Sequence, residues 1–321
     1  MTDGTIGFAT GEEAVAVFGR GGEELRAFTA AFGIEASQRG LCLSISGGEA
    51  IARARAKEYV EGMVAAHRLG FPLSAAVRER ARALFVAGEG ERWNELPRTR
   101  VATTASGRAV FPRTPGQLSL VRSLAKNGIT LCAGPAGTGK TFLAVAAAVA
   151  ALKRGEVARI LLSRPAVEAG EALGFLPGDL TQKILPYLRP LHDALGVLAS
   201  PQERDAWNAK GMIEIAPLAY MRGRTVEDAF MVLDEAQNAT REQMLMFLTR
   251  LGRGSRMAVG GDLGQVDLDP RRPSGLREAM RRLGRVPGVG VVRLTSEDVV
   301  RHPLVERVLR AWEAAEETRH A

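Results

Sequence analysis

Residues 129–152, ITLCAGPAGTGKTFLAVAAAVAAL, decide the fold: an apolar strand, a glycine-rich loop and an alanine-rich helix follow one another directly. The loop, residues 134–141, has the form GxxxxGKT. Glycines let backbone N–H groups and the helix N-terminus approach a phosphate, so a loop in this setting predicts nucleotide binding. The predicted nucleotide contacts are Gly134, Pro135, Ala136, Gly137, Thr138, Gly139, Lys140, Thr141 and Phe142.

Two side chains of this loop have predicted chemical roles. Lys140 is expected to reach the β- and γ-phosphates and to act in catalysis, because its charge stabilises the transferring phosphoryl group. The Thr141 hydroxyl is expected to ligate Mg²⁺. The predicted cofactors are therefore ATP and Mg²⁺.

A second apolar strand, AFMVLDEAQ at residues 229–237, ends in two acids. Asp234 is expected to hold Mg²⁺ through water, and Glu235 is predicted to polarise the attacking water as a catalytic residue. Adjacent carboxylates with two different roles, metal binding and water polarisation, favour ATP hydrolysis over phosphoryl transfer to a metabolite.

Two glutamines complete the predicted site. GDLGQ at residues 261–265 resembles a superfamily 1 helicase motif in which the glutamine senses the γ-phosphate, so Gln265 is a predicted catalytic residue. TPGQ at residues 114–117 lies about 17 residues before the loop and resembles the Q-motif of helicases. Gln117 would then read the adenine edge through its amide.

The strands predicted near residues 129–134, 159–163, 212–216, 229–234, 257–261 and 290–294 are separated by helical segments. This alternation predicts an α/β, RecA-like P-loop NTPase core, with a mainly parallel sheet and helices on both faces. Superfamily 1 helicases close ATP between two such cores, and this chain has room for one. We therefore expect a homo-oligomer, a hexameric ring, in which a neighbour supplies an arginine. The candidate arginines are Arg164, Arg222, Arg224 and Arg301.

The first part of the chain predicts a small α+β domain over residues 10–70. The expected elements are, in order, a strand at 15–18, the loop GRGG at 19–22, a helix at 23–32, strands at 34–37 and 41–46 and a helix at 49–67. A GxxG loop in this order resembles the core of a KH domain, which binds single-stranded nucleic acid. An assembly or partner-docking domain is the alternative.

The stretch 71–112 is predicted to be a helix, at residues 74–86, followed by a glycine- and proline-broken linker at 88–112. The P-loop domain then occupies residues 113–321.

Charge is unevenly distributed along the chain. Residues 1–100 carry equal numbers of basic and acidic side chains, so the net charge of +7 belongs to the remainder. The densest basic stretch could follow a phosphate backbone, or could be an ordinary solvated helix face. It comprises Arg271, Arg272, Arg277, Arg281, Arg282 and Arg285.

The remaining composition bears on location. No apolar run approaches the length of about 20 residues that a membrane span needs, so a protein not integral to a membrane is expected. Only Cys42 and Cys132 are present, each in an apolar strand-like run, where they are expected to be buried small hydrophobes. A reducing cytoplasm is the expected location.

Further motifs support a specific resemblance. The motifs above are joined by five further stretches: SRPAVEAGE at 163–171, LGFLPGD at 173–179, PYLRP at 186–190, IAPLAYMRGRT at 215–225 and DVVRH at 298–302. Together they resemble the PhoH-like family of phosphate-starvation-inducible ATPases. The resemblance implies ATP hydrolysis on a superfamily 1-like core, a cytoplasmic location, a role in RNA metabolism and association with an rRNA-maturation endoribonuclease.

Three functions remain open on the sequence. The first is an RNA-stimulated ATPase or helicase that works as an oligomer. The second is a nucleotide-switched, RNA-binding adaptor that recruits an rRNA-processing endoribonuclease without unwinding. The third is a DNA-repair ATPase with the same core.

Overall fold

The computed structural model describes residues 5–165, 180–269 and 271–300, together with 304, 305 and 308. Its contacts divide the chain into two compact units: residues 1–100 with 302–321, and residues 101–301. Within the described residues, no helix is both long enough and apolar enough to span a bilayer.

The first unit packs helices on one small antiparallel sheet. Its elements are β1 (Thr5–Gly7), α1 (Gly11–Phe18), α2 (Glu23–Phe32), β2 (Glu35–Arg39), β3 (Cys42–Ser46), α3 (Ala50–Arg68), α4 (Ala75–Val86) and α5 (Gly90–Asn94). The strand order is β1-β3-β2. Aromatic rings in mutual contact form much of the core: Phe8, Phe18, Phe28, Phe32, Tyr59 and Phe85.

The strand predicted at residues 15–18 is wrong, because these residues end helix α1. Thr10 caps that helix by accepting a hydrogen bond from the Glu13 amide. Ala14, Val17 and Phe18 are buried at helical spacing, so a helix buries the same apolar residues that suggested a strand. The GxxG loop therefore joins two helices. The KH-like assignment of this unit stays a prediction.

Two further expectations, for residues 88–112 and for Cys42, need correction. The stretch 88–112 is folded rather than a linker, since it contains α5 and a hairpin, and Trp93 and Leu96 are fully buried. Cys42 is exposed, because its strand position alternates with the buried Leu43 and Ile45, whereas Cys132 is buried as expected.

The second unit has a six-stranded sheet in the order β11-β6-β10-β9-β7-β8, with every pair of neighbours parallel. Its strands are β6 (Ile129–Ala133), β7 (Arg159–Arg164), β8 (Ile213–Pro217), β9 (Ala229–Leu233), β10 (Arg256–Gly261) and β11 (Val289–Arg293). A separate hairpin pairs β4 (Ala102–Thr103) with β5 (Ala109–Val110). The predicted parallel α/β core is confirmed.

Helices cover both faces of this sheet. They are α6 (Pro115–Lys126), α7 (Lys140–Lys153), α8 (Leu180–Leu198), α9 (Pro201–Ala209), α10 (Arg241–Leu248) and α11 (Gly275–Leu283). Along β9, Phe230 and Val232 join the core cluster under α7, while Met231 and Leu233 join the cluster under α10 and α11. Because the strands are parallel, the segments after β6, β7, β9 and β10 leave from one edge of the sheet.

Candidate nucleotide-binding site

The loop between β6 and α7 has the backbone shape that phosphate binding requires. Gly137 and Gly139 have φ of +84° and +76°, in the left-handed region that glycine adopts at little cost. Gly139 is the N-cap of α7 and offers no side chain to the first amides of the helix. Those N–H groups, and the positive end of the helix dipole, therefore suit an anionic ligand.

Lys140 lies over the same loop. Its Nζ donates to the carbonyl oxygens of Gly134, at 2.6 Å, and Pro135, at 2.9 Å. The Thr138 hydroxyl also donates to the Pro135 carbonyl, at 2.8 Å. The ammonium group is thus held within the loop by neutral acceptors, which an anionic phosphate oxygen would replace because it adds the attraction between two opposite charges. Phe142, by contrast, packs against the core cluster beneath α7.

Thr141 and Asp234, the two predicted metal ligands, are brought together. The Thr141 Oγ1 donates to Asp234 Oδ1 at 2.5 Å. Burial raises the pKa of Asp234, and the hydrogen bond from Thr141 opposes that rise. Two hard oxygen ligands side by side at the end of a buried strand suit Mg²⁺.

Glu235 has an unusual backbone conformation beside the two predicted metal ligands. It is one of two non-glycine residues with positive φ among the described residues, at +48°. A left-handed non-glycine residue costs roughly 1–2 kcal/mol, so the surrounding contacts must hold it there. Its carboxylate receives Arg164, with N···O of 3.2 Å, and the Gln237 amide, at 2.6 Å.

Gln237 was missed as a site residue from the sequence and connects three segments. Its side chain is 1% exposed. The Nε2 donates to Glu235 and to the Gln265 carbonyl, at 3.1 Å, while Oε1 accepts from the Asp262 amide at 2.9 Å. The signal available in the sequence is its place two residues after Glu235, the predicted water-polarising carboxylate. Gln237 therefore joins the strand that carries Glu235 to the segment that carries Gln265.

The segment after β10 also contacts the P-loop. Asp262 Oδ2 accepts from the Ala136 amide at 3.0 Å, and Oδ1 accepts from the Gly264 amide at 2.9 Å. Gln265 is exposed, and its main-chain groups bond to Asp262 and Gln237. Its predicted side-chain contact with a γ-phosphate stays a prediction.

Gln117 lies beside the P-loop, and its amide is partly engaged there. Its side chain is 4% exposed, with Oε1 accepting from the Arg113 amide at 2.7 Å and Nε2 donating to the Thr138 carbonyl at 3.0 Å. A side-chain amide has two donors and two acceptor sites, so half of its capacity is already used. Reading of adenine by Gln117 stays a prediction, and its contact with the P-loop is an additional role.

A buried carboxylate ties the segment after β11 to the same region. Asp298 accepts from the Thr114 hydroxyl at 2.5 Å and from the Thr295 amide at 2.9 Å. Two residues later, the Val300 amide donates to the Gly137 carbonyl at 3.0 Å. The P-loop is thus supported on one side by α6 and on the other by residues 295–300.

The arginines considered as trans-acting groups differ in their surroundings. Arg224 makes a bidentate pair with Glu214, at 2.5 and 2.7 Å, in its own chain. Arg164 pairs with Glu235, also in its own chain, and Arg222 is exposed. Arg301 lies outside the described residues. None of these observations identifies an arginine that acts on a neighbouring subunit.

The residues fit a magnesium nucleotide, because left-handed glycines, an uncapped helix start, a loop lysine and paired hard oxygens converge at one sheet edge. On this parallel α/β fold, the arrangement defines a P-loop NTPase.

Comparison with known proteins then gives the family. A family model described as PhoH-like protein matches residues 109–313. The chain is 41% identical over 302 residues to the PhoH-like protein of Bacillus subtilis (strain 168), covering 94% of each chain. It is 43% identical over 318 residues to that of Synechocystis sp., covering 99% of this chain and 97% of the other. The chain belongs to the PhoH-like family.

One solved structure in the comparison is the Sulfolobus solfataricus SWI2/SNF2 ATPase core in complex with dsDNA. It matches 56% of this chain and 42% of its own, at 18% identity and a TM-score of 0.32. That TM-score is too low to support a closer comparison.

Proposed function

We propose that the protein binds and hydrolyses ATP and that its turnover is stimulated by single-stranded RNA. The observation that carries the proposal is the placement of Glu235 next to Asp234, which is bonded to the P-loop residue Thr141. A nucleotide-binding protein without hydrolysis needs the loop but has no use for a second, solvent-reaching carboxylate at this point.

The residues divide the chemistry as follows. The loop amides and Lys140 bind the phosphates. The phosphate oxygens then replace the two carbonyl oxygens that the Lys140 ammonium contacts here. Mg²⁺, when bound by Thr141 and Asp234, would neutralise charge on the β- and γ-phosphate oxygens. Glu235 orients a water molecule and accepts its proton as the water oxygen bonds to the γ-phosphorus.

Glu235 must point in one direction to do this. Arg164 and Gln237 occupy its two carboxylate oxygens and fix that direction. The bond between the γ-phosphorus and the bridging oxygen breaks, and ADP and inorganic phosphate leave.

RNA is proposed as the partner because of features in both units. In the first unit, an open groove of about 350 Å³ beside the GxxG loop is lined by Gly11, Glu12, Val15, Ala16, Arg20 and His67. Gly19, Gly21 and Gly22 have positive φ, so this loop presents backbone without side-chain bulk at those points. In the second unit, the basic stretch 271–285 follows the segment that carries Gln265.

Assembly of several subunits is proposed because one core provides contacts to only one side of the bound nucleotide. We infer that a ring of subunits, a hexamer, supplies the other side with an arginine. An rRNA-maturation endoribonuclease remains a proposed partner on family resemblance, and the cytoplasm remains the proposed location.

The test measures ATP turnover with single-stranded RNA and with DNA of the same sequence, alongside the sedimentation mass of the assembly. We expect RNA to raise turnover several-fold more than DNA, and activity to rise with protein concentration as subunits assemble. A slow rate that neither nucleic acid changes would favour the adaptor, and stimulation by DNA alone would favour the repair ATPase. A fully active monomer would refute the ring.

A further inference from the structure

A groove of about 560 Å³ opens between the start of α10 and the segment that precedes α11. We call it the arginine groove; it is lined by Thr240, Arg241, Glu242, Arg271, Arg272 and Pro273. Half of these residues are arginines and one is acidic. All three arginines are exposed, so their guanidinium groups are accessible to a ligand.

Main-chain contacts hold the two walls of the arginine groove together. Thr240 and Ser274 form an antiparallel bridge, and the Gly275 amide donates to the Ala239 carbonyl at 2.8 Å. A Cβ on Gly275 would lie 2.5 Å from the Thr240 carbonyl oxygen, so only glycine allows this approach. The separation of the walls is therefore set by the fold.

The arginine pair on the second wall is also positioned by backbone contacts. The Arg271 amide donates to the Asp269 carboxylate at 2.9 Å, and the Arg272 amide donates to the Asp269 carbonyl at 2.7 Å. Asp269 thus fixes the backbone of both arginines, because it bonds their main-chain amides and not their guanidinium groups.

The positive charge of the arginine groove is compensated only in part. Within the described part of the chain, no carboxylate lies within 4.0 Å of the Arg271 or Arg272 guanidinium. Arg241 has an N···O distance of 3.6 Å to Glu278, whose carboxylate is also bound by Arg282 at 2.6 Å. The pKa of Glu242 is lowered by hydrogen bonds from its own amide and from Thr240, and Arg241 and Arg272 add to that effect.

Each wall continues a catalytic segment. The first wall begins five residues after Glu235, and the second begins six residues after Gln265. Between the two walls, Asn238 and Asp267 exchange two hydrogen bonds. The Asn238 side-chain Nδ2 donates to the Asp267 carboxylate at 3.1 Å, and the Asp267 main-chain amide donates to Asn238 Oδ1 at 2.8 Å. A ligand bound across both walls would act on two segments that Gln237 joins, because the Gln237 amide donates to the Glu235 carboxylate and to the Gln265 carbonyl.

We propose that the arginine groove binds the phosphodiester backbone of single-stranded RNA and transmits that binding to Glu235. The choice of RNA as ligand rests on the proposed function. Guanidinium groups form bidentate hydrogen bonds with phosphate, so an accessible arginine set suits a polyanion better than a neutral ligand. Of the basic stretch 271–285, only Arg271 and Arg272 are therefore proposed to contact RNA. Arg241, from another segment, completes the set.

The experiment compares two charge-matched double variants of the full chain, R271Q/R272Q and the control R281Q/R285Q. Binding of a labelled single-stranded RNA is followed by fluorescence anisotropy between 50 and 200 mM salt, about a fourfold range in counterion concentration. Loss of two phosphate contacts should reduce the slope of log affinity against log salt by about 1.4. We expect R271Q/R272Q to bind at least about tenfold more weakly than the control.

Several outcomes would overturn the proposal: equal affinity and slope in R271Q/R272Q and the parent, an equal loss in the control, or tighter parental binding of DNA than of RNA. A smaller sedimentation mass for R271Q/R272Q would assign the groove to a contact between subunits instead. Thermal unfolding of both variants identifies any general loss of structure, and in that case R271K/R272K, which keeps the charge, must restore binding.

Failure of the inference and failure of the proposed function are distinguishable. A parent that is stimulated by RNA, with R271Q/R272Q binding RNA equally well, refutes only the groove. A parent that binds RNA through the groove without any change in ATP turnover refutes the RNA-stimulated function and the transmission to Glu235, and leaves only RNA binding by the groove.

Discussion

Gln237→Leu provides a demanding test of the site, because the substitution keeps the volume of a buried side chain and removes its hydrogen bonds. Two neutral bonds are lost, from the Asp262 amide at 2.9 Å and to the Gln265 carbonyl at 3.1 Å. The third lost bond, at 2.6 Å, is to the Glu235 carboxylate, which is about one-third exposed.

The expected loss of stability follows from these bonds. Neutral hydrogen bonds contribute about 1 kcal/mol each and a charged one about 1.5–3 kcal/mol, reduced here by solvent screening. The sum is about 3 kcal/mol, which corresponds to a fall in Tm of about 6–12 °C for a unit of this size. We expect kcat to fall by roughly tenfold or more with little change in KM, since Glu235 loses one of the two groups that orient it.

The assays are thermal unfolding and steady-state ATP hydrolysis. Gln265→Ala is the matched control for stability, because Gln237 bonds to the main-chain carbonyl of residue 265, and its Tm should stay within about 2 °C of the parent. A Gln237→Leu variant with parental Tm and parental kcat would refute the role assigned to this side chain.

Three further predictions follow from buried groups and ion pairs. Burial raises the pKa of Cys132 to about 12, so at pH 8 a thiol reagent should modify the exposed Cys42 and reach Cys132 only after unfolding; two fast-reacting thiols would contradict this. Asp298→Ala should lower Tm and weaken ADP binding several-fold in a fluorescence titration, because the Thr114 cap loses its buried acceptor; unchanged ADP affinity would show that the contact does not support the P-loop. Arg224→Ala should lower Tm slightly and leave turnover intact, whereas lost turnover with retained ATP binding would make Arg224 the arginine that acts in trans.

Much of the second unit could be predicted from the sequence, since its signals are local. A parallel strand buried on both faces is a continuous apolar run, as in β6 and β9, and the P-loop between β6 and α7 is a fixed spacing of glycines. The pairing of Thr141 with Asp234, 93 residues apart, follows from the sheet topology instead, because the carboxyl ends of parallel strands meet at one edge.

The errors arose where tertiary contacts decide the outcome. Residues 15–18 alternate in a way that also suits a helix face, and the Thr10 cap and packing of Phe18 settle the choice. Trp93 lies among glycines and charges, and its burial depends on residues distant in sequence. Gln237 has no motif of its own, since its three partners lie in segments that only the folded sheet brings together.

Nucleotide occupancy compared with turnover, in Lys140→Ala and Glu235→Gln, tests the central claim most directly. Equilibrium binding of ATP and single-turnover hydrolysis are measured on each variant and on the parent. Lys140→Ala should bind no ATP, because the loop loses its charged phosphate contact, whereas Glu235→Gln should bind as the parent does and hydrolyse orders of magnitude more slowly. Equal ATP affinity and equal turnover in the two variants would contradict the assignment of the site.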